Sequence, residues 1–118
     1  TLLKEMVRNL VDNAINYTPS TEENPGVITV RLLADKFGKV VVVQVEDSGP
    51  GIPEAERDLV FQPFYRALGT EADGSGLGLP IVIEIAHQHA AVVTLEDAYP
   101  GKSMPGARFT VRFSNTQA

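Results

Sequence analysis

Residues Gly74-Ser75-Gly76-Leu77-Gly78-Leu79-Pro80 place three glycines within five positions and lead at once into an apolar, helix-like run. Glycine costs about 0.5–1 kcal/mol relative to alanine wherever regular structure can form, so three together need a purpose. A bare backbone can approach a phosphate chain closely, and a helix N-terminus offers it unpaired N–H groups and the positive end of a dipole. A flexible surface loop accounts for the glycines equally well. The polar lead-in from Gly69 to Asp73 puts them between a loop and the start of a helix.

Two familiar phosphate-binding patterns fail on context. A dinucleotide fold is suggested by Glu96, which follows Gly76 by about twenty residues at the end of a predicted strand. Its glycines would have to follow a buried strand directly, in a GxGxxG spacing. Here they follow Arg66 to Asp73 and are spaced GxGxG. A P-loop is excluded because no Gly-x-x-x-x-Gly-Lys-Ser/Thr occurs: before Gly101-Lys102-Ser103, Glu96 stands where the first glycine is needed.

At 118 residues the chain is read as a single domain, 1–118. Such a length buries roughly two-thirds of its unfolded surface, enough for one core. There are no cysteines, which removes disulfides and thiolate metal sites. A net charge of −5 argues against nucleic acid and anionic membrane as partners. It leaves a nucleotide open, since Mg²⁺ and backbone N–H groups can handle the phosphates. No apolar run approaches a membrane span. The start at Thr1-Leu2-Leu3 has mid-helix character and no signal peptide, and is read as belonging to a piece of a longer protein.

Apolar residues at Leu3, Met6, Val7, Leu10, Ala14 and Tyr17 predict an amphipathic helix over 2–17, ended by Thr18-Pro19. Two antiparallel strands are predicted over Val27–Leu33 and Lys39–Val45, with a turn around 35–38. A compact turn follows at 47–53, then a short helix after Pro53, an aromatic segment at 61–66 and the loop 67–75. A helix from about Leu77 to His89 and strands Ala91–Leu95 and Ala107–Phe113 close the chain. The order α-β-β-(α)-α-β-β predicts an α/β (α+β) two-layer sandwich, with helices on one face of a mixed, mostly antiparallel sheet.

Three constellations carry chemistry. Glu5, Asn9, Asn13 and Asn16 fall on one stripe of the first helix at spacings of four, four and three. A solvated polar face would explain them, but asparagine competes for backbone hydrogen bonds and is a poor helix former. An amide carbonyl beside a carboxylate suits Mg²⁺, a hard cation usually shared with phosphates. Second, Asp47-Ser48-Gly49-Pro50-Gly51-Ile52 is either a plain strand-ending turn or a pocket mouth. In the second case Asp47 accepts from an exocyclic amine, the glycines curl under a flat ring and Ile52 walls it. Third, Phe61-x-x-Phe64-Tyr65-Arg66 offers two ring residues that suit a core and an arginine able to reach a terminal phosphate or lie in solvent. His87 and His89 point about 200° apart on a helix and do not make a joint metal site.

Taken in order, Glu-x-x-x-Asn-x-x-x-Asn-Ala-x-x-Tyr-Thr (5–18), Asp-x-Gly-x-Gly-Ile (47–52), Phe-x-x-Phe-Tyr-Arg (61–66) and Gly-x-Gly-Leu-Gly-Leu (74–79) resemble four boxes of the ATP-binding catalytic domain of bacterial sensor histidine kinases. That domain belongs to the wider superfamily of Hsp90, MutL and gyrase B, whose Bergerat fold is the one the element order suggests. The resemblance reaches the closing strand at Gly106-Ala107-Arg108-Phe109. It implies Asn9 as Mg²⁺ ligand, Glu5 as base or orienting acid, and Asn13 facing the phosphates. It further implies Tyr17 lying along the nucleotide, with Phe64 nearby, and Asp47 reading the adenine amine in a pocket shaped by Gly49, Gly51 and Ile52. Gly74, Gly76 and Gly78, with Leu77 and Leu79, match the hinge of an ATP lid over 67–75, expected to order on nucleotide binding.

The departures are local. Asn16 stands where many relatives carry a cation, leaving Arg66, and less directly Arg8, to meet phosphate. Pro80 sits in a first helical turn, where its missing N–H is not needed. Ala90-Ala91 replaces a common glycine after the helix. The implied function is binding of Mg-ATP and transfer of its γ-phosphate to a histidine on a separate dimerisation domain of the same protein, with a response regulator downstream. The isolated chain would then not label itself. The parent would be anchored in the bacterial inner membrane with this domain cytoplasmic. An ATPase gate of the chaperone, mismatch-repair or gyrase type, and a nucleotide sensor without phosphotransfer, are the alternatives.

Overall fold

The computed structural model describes residues 2–34, 40–61 and 78–114. Helix α1 runs Leu2–Tyr17, the span the periodicity predicts. Its residues Met6, Leu10 and Ala14, one per turn, are the most deeply buried, at 0, 0 and 2% exposure. Thr18 closes the last turn through its N–H to the Ile15 carbonyl (3.4 Å), and Pro19 prevents continuation.

Strands β1 (Ile28–Ala34), β2 (Val40–Asp47), β3 (Val92–Glu96) and β4 (Arg108–Ser114) form one sheet in the order β1-β2-β4-β3. Every ladder among the described residues is antiparallel, so the parallel element implied by a mixed sheet is not found there. The predicted hairpin turn at 35–38 lies outside the described residues. Between β2 and β4 the short helix expected after Pro53 is two 3₁₀ turns, Glu54–Glu56 and Leu59–Phe61. Helix α2 runs Gly78–Gln88.

The predicted strand ends differ by a residue or two, and one difference matters. The apolar signal stops at Val45, but β2 continues through Glu46 and Asp47, which pair across to Arg108 and to the Ala107 carbonyl. The main-chain ladder does not require apolar side chains, and arginines on the flanking strands receive the Glu46 carboxylate.

Helices α1 and α2 pack on one face of the sheet. Val45, Phe109 and Val111 meet Met6, Leu10, Leu79, Val82 and Ile85 there. Phe61 stands edge-on to Phe109, with centroids 5.9 Å apart, which makes it a core residue. Strand alternation puts Arg31, Gln44, Glu46, Thr94, Arg108 and Thr110 on the opposite face. The result is a two-layer sandwich with a polar back.

Candidate functional site

The Asp47 turn is built where two long-range connections meet. Ser48 binds Val27 reciprocally: its N–H donates to the Val27 carbonyl (3.0 Å) and its hydroxyl accepts from the Val27 N–H (2.8 Å). On the other side Gly106 donates to the Gly49 carbonyl (2.9 Å) and Asp47 N–H to the Ala107 carbonyl (3.0 Å). The turn is thus held from both neighbouring strands.

The Asp47 side chain is 3% exposed. Its Oδ1 accepts from the Gly49 N–H (2.9 Å) and the Ala107 N–H (3.3 Å). Burial pushes its carboxyl above the usual aspartate range. The two backbone N–H groups and the nearby Thr18 hydroxyl oppose that shift, and the neighbouring Glu46 charge adds to it. The Thr18 hydroxyl is buried close to the carboxylate without the geometry of a regular hydrogen bond. Such a carboxylate, held rigid and costly to leave charged, is suited to accept one further donor.

Gly51 (φ 83°) and Gly106 (φ 67°) occupy left-handed backbone where other residues are strained. They also abut each other. A Cβ on Gly51 would lie 2.9 Å from the Gly106 carbonyl oxygen, and one on Gly106 only 1.9 Å from the Asp47 carbonyl oxygen. Ile52 is 8% exposed within the apolar core beside this turn.

On α1 the asparagine stripe lies beside the buried face rather than diametrically opposite it. Asn9 and Asn13 are half-buried, while Glu5 and Asn16 are exposed. The Asn9 amide nitrogen donates to the Glu5 main-chain carbonyl (3.0 Å), which orients its side-chain oxygen, an acceptor, away from that carbonyl. Arg8 faces Asp12 at 3.9 Å in a strongly exposed pair. A concavity of about 540 Å³ on α1 is lined by Lys4, Val7, Arg8, Val11 and Asp12, on the flank of the helix away from the asparagines.

Tyr17 is the last residue of α1, and Gly78 is the first of α2. Leu79 is 6% exposed and packs into the core. Phe64, Arg66, Gly74, Gly76 and Leu77 lie outside the described residues, as does the expected lid. His87 and His89 are exposed, and His89 Nδ1 sits 2.9 Å from the Ile85 carbonyl. Among the described residues no group of three metal-ligating side chains occurs, and no helix is long and apolar enough to cross a membrane.

Reading the sequence alone missed Thr18, Gly106 and Ala107 as parts of the Asp47 surroundings. The left-handed glycine before the last strand was the available signal, but nothing local says which turn it meets.

An amphipathic helix with an asparagine stripe, antiparallel strands and a clamped Asp-x-Gly-x-Gly turn agree with the comparisons. Residues 1–117 match the family described as histidine kinase-, DNA gyrase B-, and HSP90-like ATPase. The chain belongs to this family. It is 44% identical over 110 residues to the signal transduction histidine-protein kinase/phosphatase MprB of Mycobacterium sp. (strain KMS), covering 92% of this chain. It spans 20% of that relative's length. The solved mycobacterial sensor histidine kinase MprB superposes with a TM-score of 0.84 at 32% identity, over 96% of this chain and 72% of that one. The catalytic domain of histidine kinase ThkA gives 0.73 at 30% identity, over 98% and 69%. ShkA, solved full-length in complex with AMPPNP, gives 0.72 at 27% identity, over 99% and 22%. The chain is therefore an ATP-binding domain of the sensor histidine kinase type.

Proposed function

We propose that this domain binds Mg-ATP and passes its γ-phosphate to a histidine on a dimerisation domain of the same protein. The observation that carries this reading is the buried Asp47 carboxylate. With Oδ1 held by two backbone N–H groups, Oδ2 accepts the exocyclic amine of adenine. Gly49 and Gly51 let the chain pass close beneath the base, and Ile52 supplies an apolar wall.

From Thr18, beside Asp47, to Asn9 is nine residues of chain, about 13 Å along a helix. An extended nucleoside triphosphate covers that distance, so base and phosphates fit along α1. Asn13 and Asn16 face the phosphates, Tyr17 lies along the nucleotide, and Phe64 and Arg66 complete the phosphate end. Gly74, Gly76, Leu77 and Gly78 form the hinge of a lid, while Leu79 anchors that hinge in the core. The Asn9 amide oxygen with phosphate oxygens is a donor set that fits Mg²⁺. When bound there, Mg²⁺ neutralises phosphate charge. Glu5, one turn before Asn9, orients the incoming imidazole or takes its proton. The bond from the γ-phosphorus to the ADP oxygen breaks, a bond to an imidazole nitrogen forms and ADP departs.

The whole parent protein is read as a two-component sensor kinase. It is anchored in the bacterial inner membrane, with this domain in the cytoplasm and a response regulator receiving the phosphate afterwards. Calorimetry tests the reading. Asp47→Ala should abolish the heat of Mg-ATP binding, and retained affinity refutes the base assignment. Asn9→Ala should remove the Mg²⁺ dependence. With labelled ATP the chain should phosphorylate an added dimerisation domain and leave itself unlabelled. Stable phosphate on His87 or His89 contradicts this.

A further inference from the structure

Directly behind Asp47, on the polar face of the sheet, Glu46 is a charged side chain only 1% exposed. Its cross-strand partner is Arg108, whose Nε donates to Glu46 Oε1 at 3.2 Å, and Arg31 from β1 donates to the same oxygen. Burial raises the Glu46 carboxyl. The Arg31 and Tyr99 contacts and the two guanidinium charges more than offset this and hold it below its usual range. Buried ion clusters seldom stabilise more than well-packed apolar residues of similar volume would, so their use often concerns specificity of arrangement.

The arrangement leads to the nucleotide turn. The second arm of the Arg108 fork donates from Nη2 to the Ala98 carbonyl (3.2 Å), and Nη1 lies 3.6 Å from Glu96. Ala98 and Tyr99 begin the loop that returns to β4, and Tyr99 N–H closes it on the Pro105 carbonyl (2.7 Å). The far end of that loop is Gly106 and Ala107, which supply the N–H groups to Gly49 and to the Asp47 carboxylate. A Cβ on Gly51 would meet Pro105 at 3.0 Å, so the loop is also the wall beneath the turn. Arg57 makes a second tie. Its Nε donates to the Ile52 carbonyl (3.2 Å) and its Nη2 to Asp97 (2.9 Å), joining the end of the turn to the start of the loop.

We propose that Glu46 and Arg108 are a positioning pair for base recognition. They hold the 97–107 loop so that its Ala107 N–H, and the Gly49 N–H of the turn that Gly106 anchors, fix the Asp47 carboxylate in the orientation that distinguishes adenine. Neither residue touches the nucleotide. The pair acts through Ala98 and Pro105–Ala107, with Arg57 and Asp97 as the second tie. This inference rests on Asp47 reading the base.

The test compares Mg-ATP with Mg-ITP, whose base has a carbonyl where adenine has the amine, by calorimetry on the full chain. Glu46→Gln and Arg108→Lys should each lower the ATP-to-ITP affinity ratio by about fivefold or more, since a looser carboxylate is less preorganised. The double variant should lose no more than the larger single loss, because both act through one path. Arg31→Lys, at the other donor to Glu46 Oε1, should lower the ratio less and serves where Glu46→Gln folds poorly. Val111→Ala, a core truncation, should lower stability but leave the ratio intact, as should Arg112→Ala on the exposed surface of β4. An unchanged ratio in Arg108→Lys and Arg31→Lys overturns the proposal while Asp47 retains its role. Unaltered ATP affinity in Asp47→Ala removes the base assignment itself, and this inference falls with it.

Discussion

A single methyl group at Gly106 probes how tightly the 97–107 loop is set against the nucleotide turn. Its Cβ would lie 1.9 Å from the Asp47 carbonyl oxygen, 3.0 Å from the Asp47 carbonyl carbon and 3.4 Å from Ala98 Cβ. The nearest atoms are main chain, so no side-chain rotation relieves the clash. At φ 67° the alanine also pays the left-handed cost of about 1–2 kcal/mol. Moving the loop away breaks Gly106 to Gly49, Ala107 to Asp47 Oδ1 and Asp47 to Ala107. Each buried group left unpaired costs about 1–3 kcal/mol. If two of the three are lost, Gly106→Ala should destabilise by roughly 3–8 kcal/mol. That is a large share of a whole-domain stability of about 5–15 kcal/mol. Urea denaturation measures it, with Gly101→Ala as the control. Gly101 has φ 86°, but nothing lies within 4 Å of its added Cβ, so only the conformational cost applies. A midpoint for Gly106→Ala no lower than for Gly101→Ala refutes the close approach and the role of the loop as a wall.

Ala90 ends α2 at φ 54°, with Ala91 N–H bonded to the Ala86 carbonyl at 2.8 Å, a left-handed helix end that glycine fits better. Ala90→Gly should stabilise by about 0.5–1 kcal/mol, seen as a higher Tm, and a lower Tm contradicts the assigned backbone. Leu10→Ala, at 0% exposure between α1 and the sheet, should cost about 2–5 kcal/mol in urea, whereas Ile15→Ala at 55% exposure should stay within about 0.5 kcal/mol. Asp47 has a raised folded-state pKa. Its ionisation therefore works against folding, and its favourable contribution is present below the ordinary aspartate range and lost as pH rises through the raised value. Asp47→Asn should be more stable than the parent at pH 7, with the advantage shrinking on acidification, while nucleotide binding is lost. Equal stability of the two at neutral pH argues against the burial of that charge. Glu46 has the opposite sign. Its folded-state pKa is lowered, so its stabilisation holds above the ordinary carboxylate range and fades as pH falls through the lowered value. The Glu46→Gln chain should therefore lose less stability than the parent in acid.

The full extent of α1 was legible because a local signal marks its end. The 3.6-residue period of Met6, Leu10 and Ala14 continues until Thr18-Pro19 forbids another turn. The end of β2 was not legible, since apolar alternation stops at Val45, and Glu46, which extends the strand, is satisfied by arginines 15 and 62 positions away. The asparagine stripe could be found by spacing, but its placement at the edge of the buried face depends on where α2 and the sheet lie. Asp47 shows the same division within one residue. As an acceptor after a strand it could be read locally. Its near-complete burial and its grip by Gly49 and Ala107 need a loop that returns sixty residues later, and the order of residues between them does not encode that meeting pairwise. An exposed aspartate in such a turn is an ordinary cap with a solvated, adaptable carboxylate. The same aspartate pressed between two backbone N–H groups is a rigid acceptor that tolerates few donors, and selectivity for a base edge requires the second state. The chemistry of the turn is local, whereas its discrimination belongs to the tertiary fold, through Gly106, Ala107 and the charges behind them.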